Sequence, residues 1–272
     1  MKTLFKLFIL AVCLCLVASP TFGQETDEAQ TYHVHDYLLV APGNHADYLA
    51  MEKVWKKIHQ ANIADGKYLY WELTEIVMPV GSNTEYNYVT RIAVRGEENL
   101  AALMTGEIFS GNLTAKLTDA EKALFQRTGE LRTYVKKEVY TVTHLLPAED
   151  FKDVNVSVMN HFDYPVGSGH RAHVQMEKDI WDPVHAARIK AGEMLGWVVA
   201  NKIMPGGAGE SFHDVTVDLY KDMPTYLANR SPMPHFNKVH ANKNINDLME
   251  QTEAAASLVY TEVRHTLDAS NR

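Results

Sequence analysis

Apolar and polar residues alternate from Tyr32 to Val40 in a stretch rich in β-formers, and that period of two predicts a strand. Pro42-Gly43-Asn44 marks a turn, with Asn44 able to cap a helix. From His45 to Ala64 the period becomes helical. Met51, Val54, Trp55, Ile58 and Asn62 share one face, and Lys53, Lys56, Lys57 and Gln60 lie largely away from it. Asp65-Gly66 ends that helix. Lys67 to Met78 and Tyr86 to Val94 read as two strands around a loop carrying Pro79 and Gly81. A weaker helical stretch runs from Leu100 to Phe109, and Thr118-Asp119-Ala120-Glu121 opens a stronger one with a cap and an acidic first turn. Glu138 to Leu146 closes the series as a strand. The rest of the chain repeats this order, ending in a helix near Asn244 to Ala256 and a strand near Leu258 to Leu267.

The repetition extends to individual residues. Trp55, His59, Ile63, Gly66, Trp71, Pro79, Gly81 and Thr90 recur as Trp181, His185, Ile189, Gly192, Trp197, Pro205, Gly207 and Thr216, each 126 positions on. Upstream, Met51-Glu52-Lys53 matches Met176-Glu177-Lys178 one residue out of step, and Val139-Tyr140-Thr141 loosely resembles Val259-Tyr260-Thr261. A period above one hundred residues indicates a duplicated domain rather than a solenoid unit. The linker falls near Pro147 to Asp153, between domains expected at 24–147 and 154–272.

Each half reads β-α-β-β-α-β, the ferredoxin-like split βαβ order, whose four-stranded sheet carries both helices on one face. The bare face has to be buried, and the second copy is the obvious cover. The fold class expected is therefore α+β, with two tandem ferredoxin-like domains packed sheet to sheet as an intrachain pseudo-dimer. The Trp-x-x-x-His helix and the Gly…Trp strand in both halves resemble the dimeric α+β barrel superfamily in its fused, tandem form. The resemblance covers nearly all of the chain beyond the leader. It implies a pocket between helix and sheet, in a superfamily of antibiotic-synthesis-type monooxygenases, haem-degrading enzymes, chlorite-dismutase-like haem proteins and stress-response barrels, and it does not name a reaction.

The N-terminus changes the setting. Lys2 and Lys6, the apolar run from Leu7 to Val17, and Thr21-Phe22-Gly23 follow the pattern of a secretory signal peptide, so residues 1–23 are expected to be removed and the protein to be secreted or periplasmic. The run falls short of the roughly 20 residues of a spanning helix. Cys13 and Cys15 leave with it, so the mature chain offers no disulfide and no thiolate. No membrane partner is expected after cleavage. A net charge of -8 argues against nucleic acid, which calls for a basic face.

Thirteen histidines focus attention on chemistry. His59 and His185 stand on the Trp-x-x-x-His helices, where each can act as a base or as a ligand to haem, or can pack at the edge of a core. Trp55, Trp181, Trp71 and Trp197 can wall a site for a small apolar or planar molecule, and Asn87 and His213, matched in register, can orient it. The cofactor is left open, with haem one possibility. If the protein is an enzyme, the resemblance implies an oxygenase, cofactor-free or haem-dependent. The alternative is a non-enzymatic binding module with filled cores. His33 and His35 share a strand face, and His161 matches His35 by sequence, but even with His144 or Asp163 no metal signature emerges. Glu52 and Glu177 read as solvated helix carboxylates. The extra residue before Trp181, with Pro183 behind it, leaves two readings open, a π-bulge or a helix that starts later. Arg230 to His235 is expected to be irregular, as a lid or a plain surface loop. The leader has a direct check: the intact mass of protein recovered from its source is expected to correspond to a chain beginning at Gln24.

Overall fold

A computed structural model describes residues 29–270, apart from 82–83, 111–113, 150–152 and 208. The expected leader, with Cys13 and Cys15, lies outside the described residues. The first half contains β1 (Thr31–Leu39), α1 (His45–Ala64), β2 (Tyr70–Met78), β3 (Tyr88–Arg95), α2 (Glu97–Thr105), α3 (Asp119–Gln126), α4 (Thr128–Leu131) and β4 (Thr133–Pro147). The second contains β5 (Val156–Asp163), α5 (His170–Met176), a π-turn (Glu177–Trp181), α6 (Asp182–Lys190), β6 (Gly196–Met204), β7 (Asp214–Tyr220), α7 (Met223–Ala228), α8 (Met233–Val239), α9 (Ile245–Ala255) and β8 (Ser257–Ser270).

Local chemistry explains most boundaries. The Thr118 side chain accepts from the Glu121 N–H while Glu121 reaches back to the Thr118 N–H, so α3 starts on a full capping box. The weaker helix is shorter than its pattern suggested, because Gly106 takes φ +80° and ends α2 in a left-handed cap. The segment expected to be irregular at 230–235 is only partly so. Pro232 caps α8, and Met233, Pro234 and His235 form its first turn, where proline's missing N–H costs nothing.

The eight strands form one closed barrel in the order β1-β3-β2-β8-β5-β7-β6-β4, antiparallel throughout. The first four strands lie together as β4-β1-β3-β2 and the last four as β6-β7-β5-β8. The two runs meet at β2–β8, from Trp71 opposite Ser270 to Met78 opposite Val263, and at β4–β6, from Val139 opposite Met204 to Pro147 opposite Gly196. The runs are thus hydrogen-bonded to each other at both edges as well as facing each other.

Alternation along the strands separates two environments. Outward residues bury the helices: Val34, Leu38, Trp71, Leu73 and Ile92 pack with Tyr48 and Met51 of α1, and Val156, Val158, Trp197 and Val199 pack with Val174, Trp181 and Ile189. Inward residues combine an apolar cluster, including Met159, Ala200, Val215 and Val217, with a polar network. Arg264 on β8 reaches across to the Tyr37 hydroxyl (3.3 Å) and His35 Nδ1 (3.4 Å) on β1, a strand that is not its neighbour. Glu262 pairs with Arg264 at 2.5 Å and accepts from the Tyr86 hydroxyl at 2.7 Å. Burial drives the pKa of His35 well below its usual value, with the Arg264 charge adding to the effect, so its ring accepts as a neutral imidazole.

The ladders correct one sequence match. His35 stands opposite Arg91 and Glu138, whereas Met159 stands opposite Val217 and Glu262, the positions that answer to them. Met159 is therefore the counterpart of His35, and His161 lies two residues further along the same face. The 126-residue offset does not carry over to β1 and β5, because ladder pairing, not spacing along the chain, sets register. Removing one partner of the interior ion pair leaves a buried charge unpaired. Arg264→Met is expected to cost about 3–5 kcal/mol in urea unfolding, with part recovered by adding Glu262→Gln.

Candidate functional site

The predicted histidine–tryptophan rows exist, and both are closed. His59 lies between two indoles, its ring 5.0 Å from Trp71 at 15° and 5.7 Å from Trp55 at 27°. Its Nδ1 meets the Tyr68 hydroxyl at 2.6 Å, and Trp55 donates to Thr128 Oγ1 at 3.0 Å. His185 repeats the arrangement, 4.6 Å from Trp197 at 17° and 6.1 Å from Trp181, with the buried Arg188 donating to its Nδ1 at 3.2 Å. Both histidines are buried. Burial lowers His59 to about 3, helped by the Arg132 charge, and lowers His185 to about 4 against the partial opposition of Asp218. These are neutral packing rings and poor bases at pH 7. Both ring faces of His59 and of His185 are covered by indoles.

The remaining predicted residues divide. Asn87 is a backbone clamp, accepting from Val40 N and donating to Val40 O, both at 2.9 Å. His33 bonds the Tyr70 hydroxyl and His144 bonds Asp182. Among the described residues no group of three or more His, Cys, Asp or Glu side chains is placed to hold a metal ion. Glu52 and Glu177, expected in solvent, are buried. Glu52 is paired with Arg132, and Glu177 lies 3.1 Å from His173. His213 pairs with Asp163 at 2.9 Å and stacks on Tyr164 at 5.1 Å, at the edge of a polar cluster that sequence reading missed.

Asp214 is the centre of that cluster. It opens β7, is fully buried, and meets His170 Nδ1 at 2.9 Å and His173 Nδ1 at 2.9 Å. His173, also fully buried, turns its Nε2 to Glu177. An ionised carboxylate only accepts, so each Nδ1 must carry a hydrogen. Burial of Asp214 raises its pKa, but the bonds from the two histidines outweigh that and leave it below the ordinary carboxylate range. For His173 burial opposes the charge, yet its bonds to Asp214 and Glu177 win and raise it to about 9. His173 is thus an imidazolium held between Asp214 and Glu177, and burial raises the pKa of Glu177 against the opposing pull of His173. His170 is bound through Nδ1 alone, is about one-third exposed, and lines an open cleft of about 640 Å³ with Gly167, Ser168, Gly169, Arg171, Ala172 and Gln175.

The first half has no equivalent. His45, Tyr48 and Glu52 precede their counterparts His170, His173 and Glu177 by 125 positions, and Tyr88 precedes Asp214 by 126. There His45 Nδ1 meets the Tyr88 hydroxyl at 2.9 Å and no carboxylate is involved. The step from 125 to 126 is the inserted residue, and the helix absorbs it as the π-turn Glu177–Trp181, with Pro183 near the start of α6. The bulge reading holds, and the late-starting helix does not, since α5 runs into the π-turn without a break. The spacing of His170, His173 and Glu177 was the available signal: three, then four residues, on one helical face.

No family model matches this sequence, and no curated protein matches it either. Solved structures do. A protein of Fusobacterium nucleatum subsp. nucleatum named a “putative monooxygenase” superposes with a TM-score of 0.54 and 12% identity, over 90% of this chain and 96% of its own. An anthrone oxidase-like protein superposes at 0.50 with 12% identity, over 90% and 94%. The fold is the dimeric α+β barrel. At such identity the likeness carries architecture and leaves the chemistry to the residues.

The His173 clamp makes stability depend on pH. Its folded-state pKa is raised, so its contribution is full below about pH 6.5 and is lost as the pH rises through about 9. The loss is on the order of 3 kcal/mol. Chemical unfolding between pH 6 and 10 is expected to show this decline, and His173→Gln is expected to flatten it.

Proposed function

We propose that this barrel is an exported protein of two tandem ferredoxin-like domains, residues 24–147 and 154–272, that binds one small, flat molecule in its second half. The observation that carries this reading is the position of His170. Its Nδ1 is fixed on buried Asp214, and its ring forms a wall of the cleft at the start of α5. The Trp55–His59–Trp71 and Trp181–His185–Trp197 stacks support the cleft by filling the layer between helix and sheet, rather than by touching ligand. The first half has its own cleft of about 400 Å³ beside Ile58, Asn62, Lys67 and Leu117, but no histidine lines it, so the reading rests on the second half.

The haem possibility moves with the site. Iron-ligating imidazoles commonly donate their second ring N–H to a carboxylate, and His170 backed by Asp214 fits that pattern. When bound, haem would supply redox chemistry at its iron. The chain's own part would be to aim Nε2 and to hold the Nδ1 proton on Asp214. The filled stacks favour a second reading, a non-catalytic barrel that presents the cleft only for binding.

Native mass spectrometry of protein purified from its source is expected to show a co-purifying small molecule, lost in His170→Ala, with His59→Ala destabilised but still loaded. Haemin titration of the mature protein gives a parallel readout. A Soret shift abolished by His170→Ala assigns haem, and no shift removes haem from consideration. An empty protein together with an unaltered cleft would sink the binding reading.

A further inference from the structure

We propose that the cleft at the C-terminal end of α1 is a second binding site, and that its ligand is an organic anion with an apolar body, an alkyl or aryl carboxylate. The site lies in the first half, apart from the α5 cleft, and holds its ligand without reaction.

The cleft exists because the two halves finish this helix differently. In the second half the corresponding corner is occupied. Arg188 stands 126 positions after Asn62 and is fully buried. Its guanidinium meets His185 Nδ1 at 3.2 Å, the Tyr220 hydroxyl at 2.8 Å and the Asn229 carbonyl at 2.8 Å. Val184, the counterpart of Ile58, shares a buried cluster with Phe236 of α8. Glu193, the counterpart of Lys67, bonds His235 at 2.8 Å and ties α8 to the same corner. In the first half Asn62 is too short to fill that space. It is buried and donates through Nδ2 to the Tyr68 hydroxyl at 3.2 Å. Lys67 extends its Nζ to the Ile108 carbonyl at 3.4 Å. Between the end of α1 and the segment leading into α3 this leaves the cleft of about 400 Å³, a volume suited to one small organic molecule.

The floor is apolar and the rim is basic. Ile58 and Leu117 belong to one buried cluster and line the cleft together with Ala61 and Ala115. Lys57, Lys67 and Lys116 stand around them. Lys57 is paired with Glu121, and Asp65 is the carboxylate in the lining. Lys67 and Lys116 have no ion-pair partner among the described residues. Set against Asp65, they leave the lining with an excess of positive charge in a chain whose net charge is -8. Free carbonyls at a helix end would repel an anion, but those of α1 are engaged. Ala61 O accepts from the Asp65 N–H at 2.9 Å, Asn62 O from the Lys67 N–H at 2.9 Å, and Ile63 O from the Gly66 N–H at 3.0 Å. Lysine stems lie along apolar surface while their ammonium groups stay in water, so a carboxylate at the mouth can meet charge while its body covers Ile58 and Leu117.

Octanoate is the probe and 1-octanol its neutral control. Calorimetry of the mature protein is expected to show octanoate binding that strengthens about three- to fourfold per added methylene from hexanoate onward and weakens with salt. Lys67→Met combined with Lys116→Met keeps the stems and removes the charges. It is expected to weaken octanoate about fivefold and to leave octanol unchanged. Methyl signals of Ile58, Ala61 and Leu117 are expected to shift on binding, in wild type and in His170→Ala alike. Equal affinity for octanol and octanoate would overturn the anion. Shifts at Ala172 without shifts at Ala61, or loss of binding in His170→Ala, would put the molecule in the α5 cleft and overturn the second site while leaving the first reading intact. No binding at millimolar octanoate would remove the site altogether.

Discussion

Antiparallel hydrogen bonding between β2 and β8, and between β4 and β6, is the constraint on which everything else here depends. Each four-stranded run alone would end in open edges, with unpaired backbone groups on both sides. Pairing the runs removes all the edges at once and turns two half-covered sheets into a barrel. The helices are left on the outside. An eight-stranded barrel has an interior about as wide as its side chains, so the middle must be filled by residues from both runs. Here the filling is part apolar, around Met159, Ala200 and Val215, and part polar, with Arg264, Glu262, His35, Tyr37 and Tyr86 joined across the barrel.

The outer layer is more conventional and accounts for the conspicuous aromatic repeat. A histidine between two indoles fills the space between helix and strand in each half, and a single hydrogen bond satisfies its Nδ1. The same row is kept in both halves because both halves need the same packing. The halves differ in the contact between helix and sheet upstream of that row. Tyr88 and Tyr48 make an aromatic, uncharged contact with the sheet, and Asp214 and His173 at the answering positions make an ionic one. A buried aspartate requires donors; His170 and His173 supply them, and Glu177 meets the far nitrogen of His173.

The π-turn belongs to the same difference. It takes up one residue between Met176 and Asp182 without moving Trp181 and His185 out of their stack. Glu177 stays on the face of His173 at the N-terminal end of the turn, and the packing row resumes beyond it. A helix with a strict period would have sacrificed either the cluster or the stack.

Much of the architecture was legible in the sequence. Period-two and helical runs located β1, α1, β3 and α9, the 126-residue offset tied the halves together, and the extra residue marked the π-turn as one of two possibilities. These features are local or repeat along the chain, so residue order reveals them. The sequence also drew attention to the Trp and His rows, because repetition is conspicuous, whereas His170, His173 and Asp214 are conspicuous only when compared with what replaces them in the first half. Strand register, the closure of the barrel, and the meeting of α5 with the first residue of β7 came from tertiary structure alone. Asp214 lies more than forty residues from His170 in the chain. Its place beneath His170 is set by which strands pair and in what register, through backbone hydrogen bonds that carry no residue-specific mark in the sequence.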